Sequence, residues 1–313
     1  MTLQQLLYFL AVAETRHFTR AAERAFVAQP SLSKQVRALE DELGAPLFSR
    51  ARGNVGLTPA GEALLPIARR IVAEVDTARL AVGELVGLRR GRVRVGATPS
   101  LCVTVFAEVL HRFHRDYPGI ELVVEESGSK DLARALTQGE LDLAVLIASE
   151  RADEAALTSV PLLSERLVVA SPADVDLGGT ITLGELRDRP LVMFREGYDL
   201  RDTTLQACRA AGFRPAFAVQ GGEMDAVLRF VEVGLGVAIV PSLVLRGRPA
   251  LRGTPLTGPE ITRTIALAQR TDVEPTLAAR AFRAELLAYL GDLDRAGALS
   301  PGVSPAPGHP PWS

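Results

Sequence analysis

The sequence has little of what would staple a small fold or build a metal cluster. Its two cysteines, Cys102 and Cys208, lie far apart in the chain. That excludes a disulfide framework and a CxxC metal pattern. Lysine is nearly absent: Lys34 and Lys130 are the only two, so almost all of the 35 cationic side chains are arginine. No apolar run reaches the roughly 20 residues that a membrane-spanning helix takes. The most apolar stretch, 233–245, is interrupted by Gly234, Gly236, Pro241 and Ser242. The start, Met1-Thr2-Leu3-Gln4-Gln5, lacks a basic region ahead of an apolar core, so no signal peptide is expected. These absences lead to the expectation of a cytoplasmic protein without a membrane anchor.

What is present is ordinary for a folded protein. Hydrophobic residues make up 47% and charged residues 23% of 313 positions, which excludes a largely disordered chain. The length suggests about two domains at roughly 150 residues each. The net charge of -2 argues against a uniformly basic protein that coats nucleic acid. The charge is uneven, however. Residues 1–92 hold 13 Lys+Arg against 9 Asp+Glu, and the remainder holds 22 against 28. A small basic reader joined to an acidic body fits that division.

The first 60 residues read as helices. Thr2 is placed to cap a helix whose Leu3, Leu6, Leu7, Leu10 and Ala13 share one face. A short helix is expected over 19–25. A third begins at Pro30 and ends at Gly44, with Leu32, Val36, Leu39 and Leu43 as its buried stripe. Its other face carries Ser31, Ser33, Lys34, Gln35 and Arg37, with no acid in the first turns. Hydroxyls, an amide and cations on one exposed face suit a helix entering a DNA major groove, although an ordinary surface helix looks similar. Gly53, Asn54 and Gly56 mark a tight hairpin. Thr58-Pro59 then opens a long helix. Its Leu64, Ala68, Ile71, Val75, Ala78, Val82 and Leu85 form a heptad seam, which pairs with a second copy or packs on its own chain. Pro66 lies early in this helix and is a candidate kink.

From residue 92 the pattern changes. Strands are expected over 92–97, 120–126, 141–148, 166–171, 216–220 and 237–240. Helices are expected between several of them, over 103–116, 129–139, 201–211 and 223–233, and a last one over 276–294. Alternating strands and helices indicate an α/β region with parallel pairing. The tail from 297 to 313 is rich in proline and is expected to be disordered.

The run Phe18-Thr19-Arg20-Ala21-Ala22-Glu23, then Gln29-Pro30-Ser31-Leu32-Ser33-Lys34-Gln35-Val36-Arg37, then Leu47-Phe48-Ser49-Arg50 and Leu57-Thr58-Pro59-Ala60-Gly61 resembles the LysR-type transcriptional regulators. Gly139-Glu140-Leu141-Asp142-Leu143-Ala144 and Val233 through Pro241 resemble two stretches of that family's sensor region. The resemblance implies an α/β multidomain protein. A winged helix-turn-helix over 1–58 and a linker helix over 59–90 would precede a two-subdomain sensor over 91–296 that is similar to periplasmic binding proteins. The first subdomain would span about 92–162 and 265–295, and the second about 163–264. The resemblance also implies a homodimer assembling to a homotetramer through the seam residues, with promoter DNA, a small-molecule effector and RNA polymerase as partners. It places base reading on Gln29, Pro30, Ser33, Lys34 and Arg37, with Ser31 beside them, and wing contacts on Arg50, Arg52 and Asn54. Lys34 fits a guanine edge or a phosphate equally well.

Ligands of open α/β sheets bind at the carboxyl ends of strands, where helix N-termini favour anions. Thr98-Pro99-Ser100 and Ser127-Gly128-Ser129 lie at two such places. They match the positions where this family holds a small anionic or carboxylate effector, although hydroxyls there also serve as plain helix caps. Phe194, Arg201, Thr203, Gly221 and Gly222 are expected to face them from the second subdomain.

Other classes find less support. No GxSxG nucleophile elbow or HExxH zinc motif occurs, so no enzyme and no cofactor is expected. His111 and His114 share a helix turn without a carboxylate or Cys cluster, which fits a solvated face better than a metal site. A solute-binding protein would match the sensor half alone. A thiol-redox regulator of the same family would need Cys102 and Cys208 to meet.

Overall fold

The computed structural model describes residues 1–49, 55–84, 91–148, 156–308 and 312. Contacts divide the chain into two compact units: Met1–Val86 with Thr137–Glu140, and Gly87–Leu136 with Leu141–Ser313.

In the first unit, α1 spans Leu3–Thr15. The Thr2 hydroxyl accepts from Gln5 N–H and the Gln5 amide oxygen accepts from Thr2 N–H, the reciprocal cap that satisfies two first-turn donors. Helix α2 spans Phe18–Arg24 and is capped by His17, whose Nδ1 accepts from Thr19 N–H at 3.2 Å. Helix α3 spans Gln29–Leu43 and stops at Gly44 in the left-handed region. Strands β1, Phe48–Ser49, and β2, Gly56–Leu57, pair antiparallel. Helix α4 spans Pro59–Glu84 and continues through Pro66 without a break. A Cβ on Gly61 would lie 2.2 Å from the Leu47 carbonyl oxygen, so only glycine lets α4 approach the β1 end this closely. The core joins Leu6, Phe9 and Val12 of α1 to Ala21 and Ala22 of α2 and to Leu32, Val36 and Leu39 of α3.

That core also takes part of the expected dimer seam. Ala68 is fully buried in it, and Leu64 and Ile71 pack against it. Apolar spacing reports burial, not the identity of what does the burying. Val75 is half-buried, Ala78 and Val82 are exposed, and Leu85 lies outside the described residues.

The second unit opens with β3, Gly91–Ala97, and a one-turn α5, Pro99–Leu101, that runs through a π-helical turn into α6, Ala107–Asp116. Then follow β4, Ile120–Glu126; α7, Ser129–Thr137; β5, Leu143–Ile147; and a long β6, Leu157–Pro172. Next come β7, Ile181–Thr182; β8, Leu191–Phe194; α8, Asp199–Ala210; β9, Phe217–Gly222; α9, Met224–Glu232; and β10, Ala238–Pro241. Strands β11, Leu251–Thr257, and β12, Thr262–Arg270, lead to α10, Leu277–Arg295, and β13, Val303–Pro305.

Strand β3 pairs parallel with β4 and β5, as the α/β alternation predicts. The pairing around β6 is antiparallel, which the alternation does not predict. Residues 157–166 of β6 run beside β12, and residues 168–172 run beside β11. One strand therefore serves two cores. Val93, Val95, Phe106, Phe113, Leu163 and Phe282 belong to one core. Leu167, Val169, Leu191, Phe194, Val227 and Ile239 belong to the other. The changeover falls between Leu163 and Leu167. Strands β7, β8, β11, β12 and β13 went unread in the sequence. Buried strands such as Leu191–Phe194 show no polar alternation to mark them.

The tail corrects the expectation of disorder over its described part. Strand β13 pairs antiparallel with β6 at Val303↔Glu165, Ser304↔Ser164 and Pro305↔Leu163. Trp312 packs against Gly291, and its indole N–H donates to Asp294 at 3.3 Å. A free β6 edge and an apolar ring overrode the proline content of the segment.

Candidate nucleic-acid and effector sites

Helix α3 presents Gln29, Pro30, Ser31, Lys34, Gln35 and Arg37 to solvent, with Ser33 half-buried beside them. The apolar positions Leu32, Val36 and Leu39 are fully buried, so the opposite face is fixed outward, whereas Leu43, the last residue expected in that stripe, is exposed at the end of the helix. No side chain caps the α3 N-terminus and no acid lies in its first turn. A helix start of this kind suits a phosphate oxygen. Arg50, Arg52 and Asn54 lie outside the described residues. Sequence reasoning passed over Phe26. It lies in the turn before α3, is 95% exposed and holds a φ of 54°, which an aromatic residue rarely adopts.

The expected effector residues come together in part. Thr98, Pro99 and Ser100 are buried at the end of β3. The Ser100 hydroxyl accepts from Arg263 Nη2 at 2.9 Å. Ser129 opens α7, and its hydroxyl accepts from Ile147 N–H at 3.2 Å. The Ser129 backbone N–H donates to Asp199 Oδ2 at 3.3 Å, joining the start of α7 to the start of α8. A Cβ on Gly128 would meet the Gly197 carbonyl oxygen at 3.7 Å, so the two loops lie in contact range. Ser127 donates its N–H to Ala97 O at 3.3 Å, which ties the end of β4 to β3.

The second-subdomain residues are differently disposed. Phe194 was expected to face the ligand, but its ring lies in the core at 1% exposure, stacked on Tyr198 at 4.7 Å. Arg201 was likewise expected to face the ligand. It donates instead to Phe194 O at 2.9 Å and to Gln220 Oε1 at 3.1 Å. Those bonds tie α8 to β8 and β9, the work of a buckle. Thr203 donates to Asp199 O at 3.0 Å along its own helix. Gly221 is exposed with a φ of 107°, and Gly222 is buried with its carbonyl accepting from Arg195 N–H. The Arg195 guanidinium pairs with Glu223.

Charge of both signs meets at this junction. Partial desolvation, followed by the carboxylates of Glu223 and Asp225, holds the Glu126 carboxyl above its usual range. Tyr198 is pushed up chiefly by burial, and its hydroxyl is buried without a hydrogen-bond partner. One buried cation offsets these acids. Arg263 pairs with the wholly buried Glu165 at 2.7 Å, and Glu165 Oε1 also accepts from Leu243 N–H at 2.8 Å. The Glu165–Arg263–Ser100 chain thus links β6, β12 and α5 where the cores change over. Sequence reading missed both charged members. A single Glu in a strand carries no signal until its partner, far away in sequence, is known.

Two motif residues have structural explanations. Asp142 accepts from Arg94 N–H at 2.7 Å and from Arg94 Nη2 at 2.6 Å, which locks the β5 entry to β3. A Cβ on Gly236 would lie 2.4 Å from the Pro190 carbonyl oxygen, so only glycine lets these two segments pack this closely. Both thiols are pushed up by burial, Cys102 to about 12 with Glu126 adding to the effect. His111 and His114 are exposed on α6, and among the described residues no group of three His, Cys, Asp or Glu is placed to hold a metal. No helix among them is long and apolar enough to cross a membrane.

Comparison with known proteins bears on both sites. Residues 3–62 match the bacterial regulatory helix-turn-helix protein model of the lysR family, and residues 87–291 match the LysR substrate binding domain. The chain is 30% identical over 301 residues to the transcriptional dual regulator GltC of Bacillus subtilis, covering 94% of this chain and 99% of that protein. It is 36% identical over 294 residues to a probable hydrogen peroxide-inducible genes activator of Streptomyces viridosporus, covering 92% of each. A solved full-length OxyR variant from Pseudomonas aeruginosa superposes with a TM-score of 0.68 at 30% identity, over 91% of this chain and 97% of that one.

Proposed function

Because the chain belongs to the LysR family of DNA-binding transcriptional regulators, we propose that α3 reads promoter DNA and that the junction of Ser100, Ser129 and Asp199 receives a small anionic effector. The observation that carries the effector reading is the Ser129 N–H at the start of α7. It holds a carboxylate, that of Asp199, supplied from the other subdomain. An effector carboxylate competes for the same donor and releases α8 from α7. Such a change between two arrangements of packed subdomains is a usual route from ligand to DNA-binding geometry. The dimer forms through the exposed part of α4 and assembles to a tetramer. RNA polymerase is the partner at the promoter, and the protein works in the cytoplasm.

On DNA, Ser33, Lys34 and Arg37 read base edges, while Gln29, Ser31 and the first turn of α3 hold phosphates, with Pro30 packed between. Phosphate contacts make affinity fall steeply with salt, whereas base contacts set preference. The test is a gel-shift series against DNA retained by the purified protein. Replacing Ser33 and Lys34 together with Ala is expected to abolish preference for that DNA over random DNA, while non-specific binding falls less. Equal loss of both would contradict base reading by α3.

A further inference from the structure

We propose that the sensor carries a second small-molecule site, built by the C-terminal tail away from the Ser129–Asp199 junction, and that it takes an amphipathic anion: a carboxylate or sulfonate on an aliphatic or aromatic body.

The tail makes the site. After α10 the chain turns back, and Arg166 N–H donates to Gly302 O at 2.8 Å while Ala306 N–H donates to Leu162 O at 3.0 Å. With β13 paired to β6, residues 298–302 become a wall. These residues lie beyond 291, where the match to the family's substrate-binding domain ends. The wall encloses two adjoining hollows. The larger, of ≈ 730 Å³, has an apolar side formed by Val168, Leu245, Leu251 and Pro255. The smaller, of ≈ 390 Å³, lies toward Val103, Tyr289 and Leu293. Arg246, Leu299 and Ser300 line both. Hollows of this size hold compact organic molecules.

Three polar groups converge there without partners. Ser300 is 9% exposed, and its hydroxyl is buried and unbonded. The Ser242 hydroxyl is likewise buried and unbonded. The Arg246 guanidinium makes no hydrogen bond or ion pair with the described residues. Buried polar groups are ordinarily satisfied, so hydroxyls left unpaired beside an unpaired cation mark a place where a ligand's acceptors fit. The sign of the charge follows from the lining. The larger hollow holds Arg166 and Arg246 and, among the described residues, no carboxylate. Arg166 spends part of its charge on Glu260 at 3.5 Å, and Glu108 lines only the smaller hollow. Arg246 is therefore the anion's partner, the two serines donate to its remaining oxygen, and the apolar side takes the body.

The test is calorimetric titration of the full chain with octanoate and with 1-octanol, which share a body and differ in charge. Octanoate is expected to bind, and the alcohol at least about tenfold more weakly, the usual difference that a charge-assisted bond makes. Arg246 is exposed and unpaired, so Arg246→Leu keeps the fold and is expected to weaken octanoate about tenfold or more. Ser129→Ala and Asp199→Ala, at the other site, are expected to leave octanoate binding within about twofold. No heat with octanoate at millimolar concentration overturns the proposal. So does wild-type affinity in Arg246→Leu, or a rise of about tenfold in Asp199→Ala, which frees the Ser129 N–H and would place octanoate at the junction instead.

Discussion

The carboxylate of Asp199 and the backbone N–H of Ser129 meet at 3.3 Å across the two halves of the sensor. The donor is one of the orphan amides at the start of a helix, and its partner comes from a distant segment. The distance is at the long end for such a bond, so the contact is readily exchanged for a better acceptor. Asp199→Ala is expected to raise the affinity for benzoate, as a simple carboxylate probe, by about tenfold, a fraction of what a hydrogen bond to a charged group contributes. Asp199→Asn should lie between. Calorimetry reads both. An unchanged affinity would show that Asp199 and the effector do not share a donor.

The Glu165–Arg263 pair predicts a large stability effect. Glu165 is wholly buried and Arg263 nearly so. Removing one partner leaves the other charged and uncompensated, which typically costs about 3–5 kcal/mol. Glu165→Ala should lower the unfolding free energy measured in urea by that amount, while Glu165→Leu with Arg263→Met should recover most of it. A loss below about 1 kcal/mol in the single variant would mean that the pair is well hydrated.

The seam on α4 predicts a division of effects. Ile71 packs against its own domain's core, so Ile71→Ala should lower thermal stability by about 1–2 kcal/mol and leave the oligomer intact. Val82 is 68% exposed within one chain. Val82→Glu should shift sedimentation toward monomer with little change in unfolding. The reverse pattern would place the dimer contact elsewhere.

Cys102 predicts slow thiol chemistry. Burial, and then Glu126, push it from 9.0 to about 12. The thiolate fraction near neutral pH is then lower by about a thousandfold, and the thiolate is the nucleophile. Because the folded value lies above the unfolded one, the stability tied to the neutral thiol is intact below about pH 9. It is lost as pH rises toward 12. Iodoacetamide at pH 8 should label the native chain far more slowly than the chain in urea. Rapid native labelling, or a peroxide-induced disulfide with Cys208, would make this a thiol sensor.

Much of the molecule was legible in the order of residues alone. The Thr2 cap, the stop at Gly44, the Leu32/Val36/Leu39 stripe and the outward face of α3 all follow from contacts within a few positions. Local spacing fixes them because a helix joins residues three and four apart. The division of charge between a basic start and an acidic remainder was equally plain. What only the tertiary structure decided involves partners far apart in sequence. Asp199 sits on Ser129, Arg263 on Glu165 and Ser100, Leu64 and Ile71 on their own core, and the proline-rich tail on the edge of β6. Each is a choice among several chemically adequate partners. That choice is made by which surfaces the fold brings within reach, and no local pattern records it.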